Sequence, residues 1–89
     1  MDAMTIPAPN RELQAAVQQV LDHWVNPCFS HPYEHISASA NDQGEVWLSG
    51  LVDASYNVEE AIWLVKRIPS VRFVFNLVTI ACHHRAVTA

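Results

Sequence analysis

The run from Val71 to Ile80, Val-Arg-Phe-Val-Phe-Asn-Leu-Val-Thr-Ile, limits what this chain can fold into more than any other stretch. It is dense in β-branched and aromatic residues and follows a Pro-Ser pair, which predicts a strand. Alternation divides it into one face with Val74, Asn76, Val78 and Ile80 and another with Phe73, Phe75, Leu77 and Thr79. Both faces are mostly apolar. A fold for this chain therefore has to cover both sides of one strand, or leave one side to a partner.

The length, 89 residues, fits one domain near the low end of what folds alone. At 51 % hydrophobic and 16 % charged, the chain is too apolar for disorder. The net charge is −4, with five Lys and Arg in total. Their closest grouping, Lys66, Arg67 and Arg72, is broken by Ile68, Pro69 and Val71, which speaks against nucleic-acid binding. No apolar stretch reaches membrane-spanning length. No charged segment followed by an apolar run opens the chain, so the expectation is a cytoplasmic protein with Cys28 and Cys82 reduced.

Met1 to Pro9, with two prolines and no periodicity, reads as a flexible arm (1–9) ahead of a single domain (10–81) and a tail (82–89). Asn10 can cap a helix in which Leu13, Ala16, Val17, Val20, Leu21 and Trp24 form an apolar stripe opposite Gln14, Gln18 and Asp22. Pro27 ends it, and Pro27 to Glu34 is an irregular connector. Ile36 to Ala40 alternates small apolar residues with serine. Asn41 to Gly44 supplies turn residues, Gly44 suiting a positive φ, and Glu45 to Val52 forms a second strand. The two strands and their turn predict a hairpin. Asn57 with Glu60 resembles a capping box for a second helix, whose buried stripe is Val58, Ala61, Ile62, Val65 and Ile68. Pro69 closes it. The order α-β-β-α-β predicts a two-layer α/β (α+β) sandwich: a three-stranded mixed sheet with two helices on one face.

This order resembles the BON domain, a small bacterial module of osmotic-stress and envelope proteins. The likeness rests on Gly44-Glu-Val46-Trp-Leu48-Ser49-Gly50 in the hairpin, Ala61 in the second helix, Pro69-Ser70-Val71 before the last strand, and Asn76 between valines within it. It covers roughly residues 10 to 81. It implies a non-enzymatic binding module, one often described as attaching to phospholipid surfaces and commonly periplasmic. Ser70 stands where the family usually has glycine. Phe73, Phe75 and Leu77 stand where its last strand is usually polar, as does Trp47 between the hairpin's Val and Leu.

Those departures mark the candidate site. If helices cover the side with Val46, Leu48, Val74, Val78 and Ile80, then Trp47, Phe73, Phe75 and Leu77 lie on the open side. Each aromatic carries roughly 150–250 Å² of surface, more in sum than a soluble monomer ordinarily exposes. Either a second copy or protein partner covers this face, or the N-terminal arm or the 27–34 connector folds over it. A phospholipid surface, with Trp47 or Trp63 inserted, is the alternative that the family suggests. Trp63, on the outer side of the second helix, is a secondary contact that could equally lie over Lys66 or Arg67. Cys28, His31 and His35, with His83 if the ends meet, could ligate zinc, though their spacing matches no familiar zinc signature. Cys-His catalysis lacks an orienting third group and a Gly-rich turn. No enzyme activity and no cofactor are expected.

Overall fold

The computed structural model describes residues 8–81 and has the element order read from the sequence. Helix α1 (Arg11–Val20) passes through a π-helical turn (Leu21–Val25) and a 3-10 turn (Asn26–Cys28). Strands β1 (His35–Ala40) and β2 (Glu45–Val52) form the hairpin, helix α2 (Ser55–Lys66) crosses over, and β3 (Phe73–Ile80) ends the domain. The sheet order is β1-β2-β3, antiparallel then parallel. α1 packs on β1 and α2 on β3, forming a two-layer α+β sandwich. Both β1 and β3 are edge strands.

The core is the filled space between the layers. Leu13, Val17, Leu21 and Val25 from the first helical segment meet Ile36, Val46, Leu48 and Val52 from the sheet and Val58, Ala61 and Val65 from α2, all buried. Asn10 caps α1 by accepting the Leu13 N–H at 3.0 Å, as its position implied. The stripe departs from expectation at its end. A regular helix drifts by about 40° over each four-residue step, and Trp24 should then lie inward. Instead the Asn26 N–H donates to the Leu21 carbonyl, five residues back, and this wider turn keeps Val25 inward. Trp24 turns out to solvent, 59 % exposed.

Helix α2 begins earlier than the Asn57–Glu60 pattern predicts. Ala54, in an extended conformation, is its N-cap, and no side chain caps the helix. Three charges or amides near a helix start do not by themselves choose the start; the β2–α2 connection does. The stripe itself is as expected, with Val58, Ala61 and Val65 buried and Ile62 and Ile68 packed at its margin. Gly44, at φ +78°, closes the hairpin turn, and its carbonyl accepts from the N–H groups of Arg72 and Phe73. That contact sets where β3 begins, two residues later than the β-rich run.

Buried Asn41 organises the same turn. Its Oδ1 accepts from the N–H groups of Gln43 and Glu45, and its Nδ2 donates to Glu45 Oε1 at 2.8 Å. Ala8 and Pro9 lie against this turn: the Ala8 carbonyl accepts from Asp42 N–H, and Pro9 bridges to Asn41.

Candidate functional site

The sheet register places the aromatic residues together. Trp47 is the direct neighbour of Phe75, Glu45 of Phe73, and Ser49 of Leu77. The Trp47 and Phe75 rings stack with centroids 5.3 Å apart and planes 22° apart. Phe73, Phe75 and Leu77 are 54, 40 and 60 % exposed. β1 adds Ser37 and Ser39 to this side, Ser39 beside Trp47 and Ser37 beside Ser49. The aromatic patch thus lies on β2 and β3, with Ser37 and Ser39 bordering it on the β1 side. A shallow depression of about 380 Å³, lined by Pro9, Ser39, Glu45 and Trp47 among others, extends it toward the hairpin turn. The 27–34 connector does not cover the patch; it sits at the far end of β2. Of the arm read as 1–9, Ala8 and Pro9 lie against the hairpin turn, and 1–7 is outside the described residues.

On the helix side, β3 is only partly roofed: Val74, Val78 and Ile80 are half-buried. Asn76 shares that side, but it is exposed and not the buried amide that an inward position implies. Its Oδ1 accepts the N–H of Val78 at 2.9 Å. α2 packs on β3 but leaves this position open to solvent.

Trp63 lies on the other layer, away from this face, and is 58 % exposed. The Arg67 guanidinium sits 4.7 Å from its ring centre, a cation–π contact one helical turn on. The ring is therefore partly occupied by its own helix.

The proposed metal ligands do not converge. Cys28 is exposed, with its thiol 3.5 Å from the Trp24 carbonyl. His35 lies 3.9 Å from Asp22, and His83 is outside the described residues. His31 instead joins two carboxylates absent from the zinc reading, Glu34 and Asp53. Its Nδ1 is 3.3 Å from Glu34 Oε1 and 2.8 Å from Asp53 Oδ2. Among the described residues this is the one grouping with ligand-like spacing. Its polar atoms are already engaged. Glu34, buried, accepts the N–H groups of His31 and Asp53, while Tyr33 O–H donates to Asp53 Oδ1 at 2.6 Å and stacks on His31. The cluster latches the connector to the end of β2. Nothing in the local sequence separates Glu34 from a solvated loop acid, because its partner Asp53 is 19 residues away.

The electrostatics follow from those bonds. Burial pushes the Glu34 carboxyl up, but the N–H groups of Asp53 and His31 outweigh it and hold Glu34 below the usual glutamate range. The Tyr33 hydroxyl is pushed up to about 12, chiefly by its bond to Asp53. Because the Glu34 value is depressed on folding, its contribution is fully present above the unfolded value, about 4.3, and is lost as pH falls through the folded value. Glu34→Gln is therefore expected to lower Tm at pH 7 by roughly 5 °C or more and to flatten the acid limb of a Tm-versus-pH series. An unchanged acid limb would show that Glu34 is not the group being titrated.

No helix among the described residues is long and apolar enough to cross a membrane. No family model matches the chain, and no curated protein matches it.

Proposed function

We propose that this chain is a BON-like, non-enzymatic interaction module that associates through its open sheet face, with a second copy of itself as the first partner. The observation carrying the reading is the exposed cluster of Phe73, Phe75 and Leu77 beside the stacked Trp47. At about 25 cal/mol per Å², covering even half of three such side chains on each of two copies is a substantial drive. Apolar rings bordered on one side by serines resemble the margin of an interface, apolar at the centre and polar at the rim.

Light scattering tests it. Wild type is expected to be dimeric at micromolar concentration, and the Phe73→Ser, Phe75→Asn double variant to be monomeric, with affinity reduced at least ~10-fold. Both positions are solvent-exposed, so the variant should keep its far-UV circular dichroism. A monomeric wild type removes self-association. Flotation of wild type with neutral or anionic vesicles, lost in the double variant, would instead assign the face to a phospholipid surface.

A further inference from the structure

We infer that the free edge of β3 is where the second copy docks. The two β3 strands run antiparallel about a two-fold axis at Phe75, joining two three-stranded sheets into one. This rests on the self-association proposed above and places the contact along the edge that borders the open face.

The ladder between β2 and β3 shows which groups face outward. At its ends, Phe73 N–H donates to the Gly44 carbonyl and Ala81 N–H to the Val52 carbonyl. In a parallel ladder alternate residues turn both backbone groups toward the neighbour. The odd-numbered residues of β3 therefore face β2, and Val74, Asn76 and Val78 point their N–H and C=O groups to the open edge.

The other edge is closed, and the contrast is informative. The outward groups of β1 are met by side chains and backbone of the α1 segment. Asn26 Oδ1 accepts the Ile36 N–H at 2.9 Å, and its Nδ2 donates to the Ile36 carbonyl at 3.0 Å. Gln18 Oε1 accepts the Ala38 N–H at 2.8 Å, and the Asn10 N–H donates to the Ala40 carbonyl. On β3 the Val78 N–H is engaged by the Asn76 side chain, while the Val74 and Asn76 N–H groups meet no acceptor among the described residues.

Edge strands are ordinarily defended by charge, proline, bulges or short length. Phe73–Ile80 has eight residues, no charge and no proline. It is apolar toward the open side and only half-roofed toward the helices, a composition suited to a strand with neighbours on both edges. A strand placed beside it would satisfy the outward backbone groups and bury the flanks of Phe73, Phe75 and Leu77.

A second copy fits this edge by symmetry, since a two-fold axis sets a strand antiparallel to itself. The absence of charge on β3 means no like charges meet at the seam. Asn76 selects the register. With the axis at Phe75, Val74 and the partner's Asn76 exchange both backbone bonds, symmetry repeats the exchange, and Val78 keeps its side-chain acceptor. On the open face Phe75 then lies beside the partner's Phe75, and Phe73 beside the partner's Leu77. Such directly opposed apolar pairs are the units that stabilise a sheet. The two aromatic faces become one continuous surface.

The test is residue-resolved amide exchange on the full, unmodified chain at low and high concentration, together with light scattering on Asn76→Pro. Proline removes an outward-facing N–H, which an edge strand tolerates. Expected are exchange at Val74 and Asn76 slowed at least ~10-fold on dimerisation, and a folded, monomeric Asn76→Pro. A wild-type dimer whose Val74 and Asn76 amides stay unprotected overturns the edge geometry and leaves face-mediated association standing; so does a dimeric Asn76→Pro. A monomeric wild type overturns both. The exchange measurement decides even if Asn76→Pro fails to fold.

Discussion

Gly50→Ala is expected to cost about 3–5 kcal/mol, most or all of the stability of so small a domain. Gly50 sits in β2 at φ +138°, a region that side-chain-bearing residues rarely occupy. A Cβ there would lie 1.9 Å from the His35 carbonyl oxygen and 3.2 Å from the Ile36 Cα. Both are backbone atoms of β1, and Ile36 is the register partner of Gly50. No rotamer change relieves the clash; β1 has to move off β2, and buried Ile36 moves with it. Gly44→Ala, at φ +78°, is the informative comparison. Its nearest contacts are the Ser70 carbonyl and the flexible Arg72 side chain, so it should cost less, about 1–2 kcal/mol. Urea unfolding followed by circular dichroism measures both. A Gly50→Ala midpoint close to wild type would mean that β1 is not held against β2 at that point.

How much of this was readable beforehand depends on whether the cause is local. Ile36, Ala38 and Ala40 alternate with serine, and that pattern alone oriented β1 correctly. At β3 alternation assigns the two faces without knowledge of neighbours, and Phe73, Phe75 and Leu77 are exposed on one of them. What escaped was set by pairing across the fold. Gln18 read as part of a solvated helix face, yet its amide holds Ala38 of β1, 20 residues on. Asn26 stands before a proline with nothing in its neighbours to mark a partner, yet it is fixed to Ile36. The π turn that aims Asn26 at β1 and releases Trp24 has no sequence pattern of its own. Alternation puts Asn76 on the side of Val74 and Val78, but it cannot tell that the helix layer leaves this position exposed.

Gln18, Asn26 and Asn76 have one thing in common: each is an amide that satisfies the backbone at a margin of the sheet, and together they make the two edges unequal. β1 is sealed by α1, whereas on β3 the outward N–H of Val78 meets a side-chain acceptor and those of Val74 and Asn76 meet none among the described residues. The aromatic patch adjoins the unsealed edge. An association that used only the face would leave that edge open; one that used the edge would set the two aromatic faces side by side in one sheet.

The sealed edge makes its own prediction. Asn26→Ala should destabilise the chain by about 2–3 kcal/mol, because it leaves part-buried backbone groups of Ile36 without partners. The loss is uneven. Gln18 Nε2 already lies 3.4 Å from the Ile36 carbonyl and can take over that acceptor, but nothing comparable replaces the acceptor for the Ile36 N–H. Asp22 loses a donor as well. The Gln18 amide, then the Asn26 amide, hold its carboxyl below the usual aspartate range, so in Asn26→Ala that carboxyl should titrate higher. Asn26→Asp separates the two halves of the bond. It keeps an acceptor for the Ile36 N–H but sets a carboxylate against the Ile36 carbonyl and beside Asp22. Its folded-state pKa is then raised above the unfolded value, so its deficit relative to wild type is present at pH 7 and shrinks as pH falls through that raised value. Chemical unfolding at pH 7 and near pH 4 reads both effects. Asn26→Ala within about 0.5 kcal/mol of wild type would show that the side chain does not close the β1 edge. A deficit in Asn26→Asp that is independent of pH would show that the carboxylate finds water in place of Ile36.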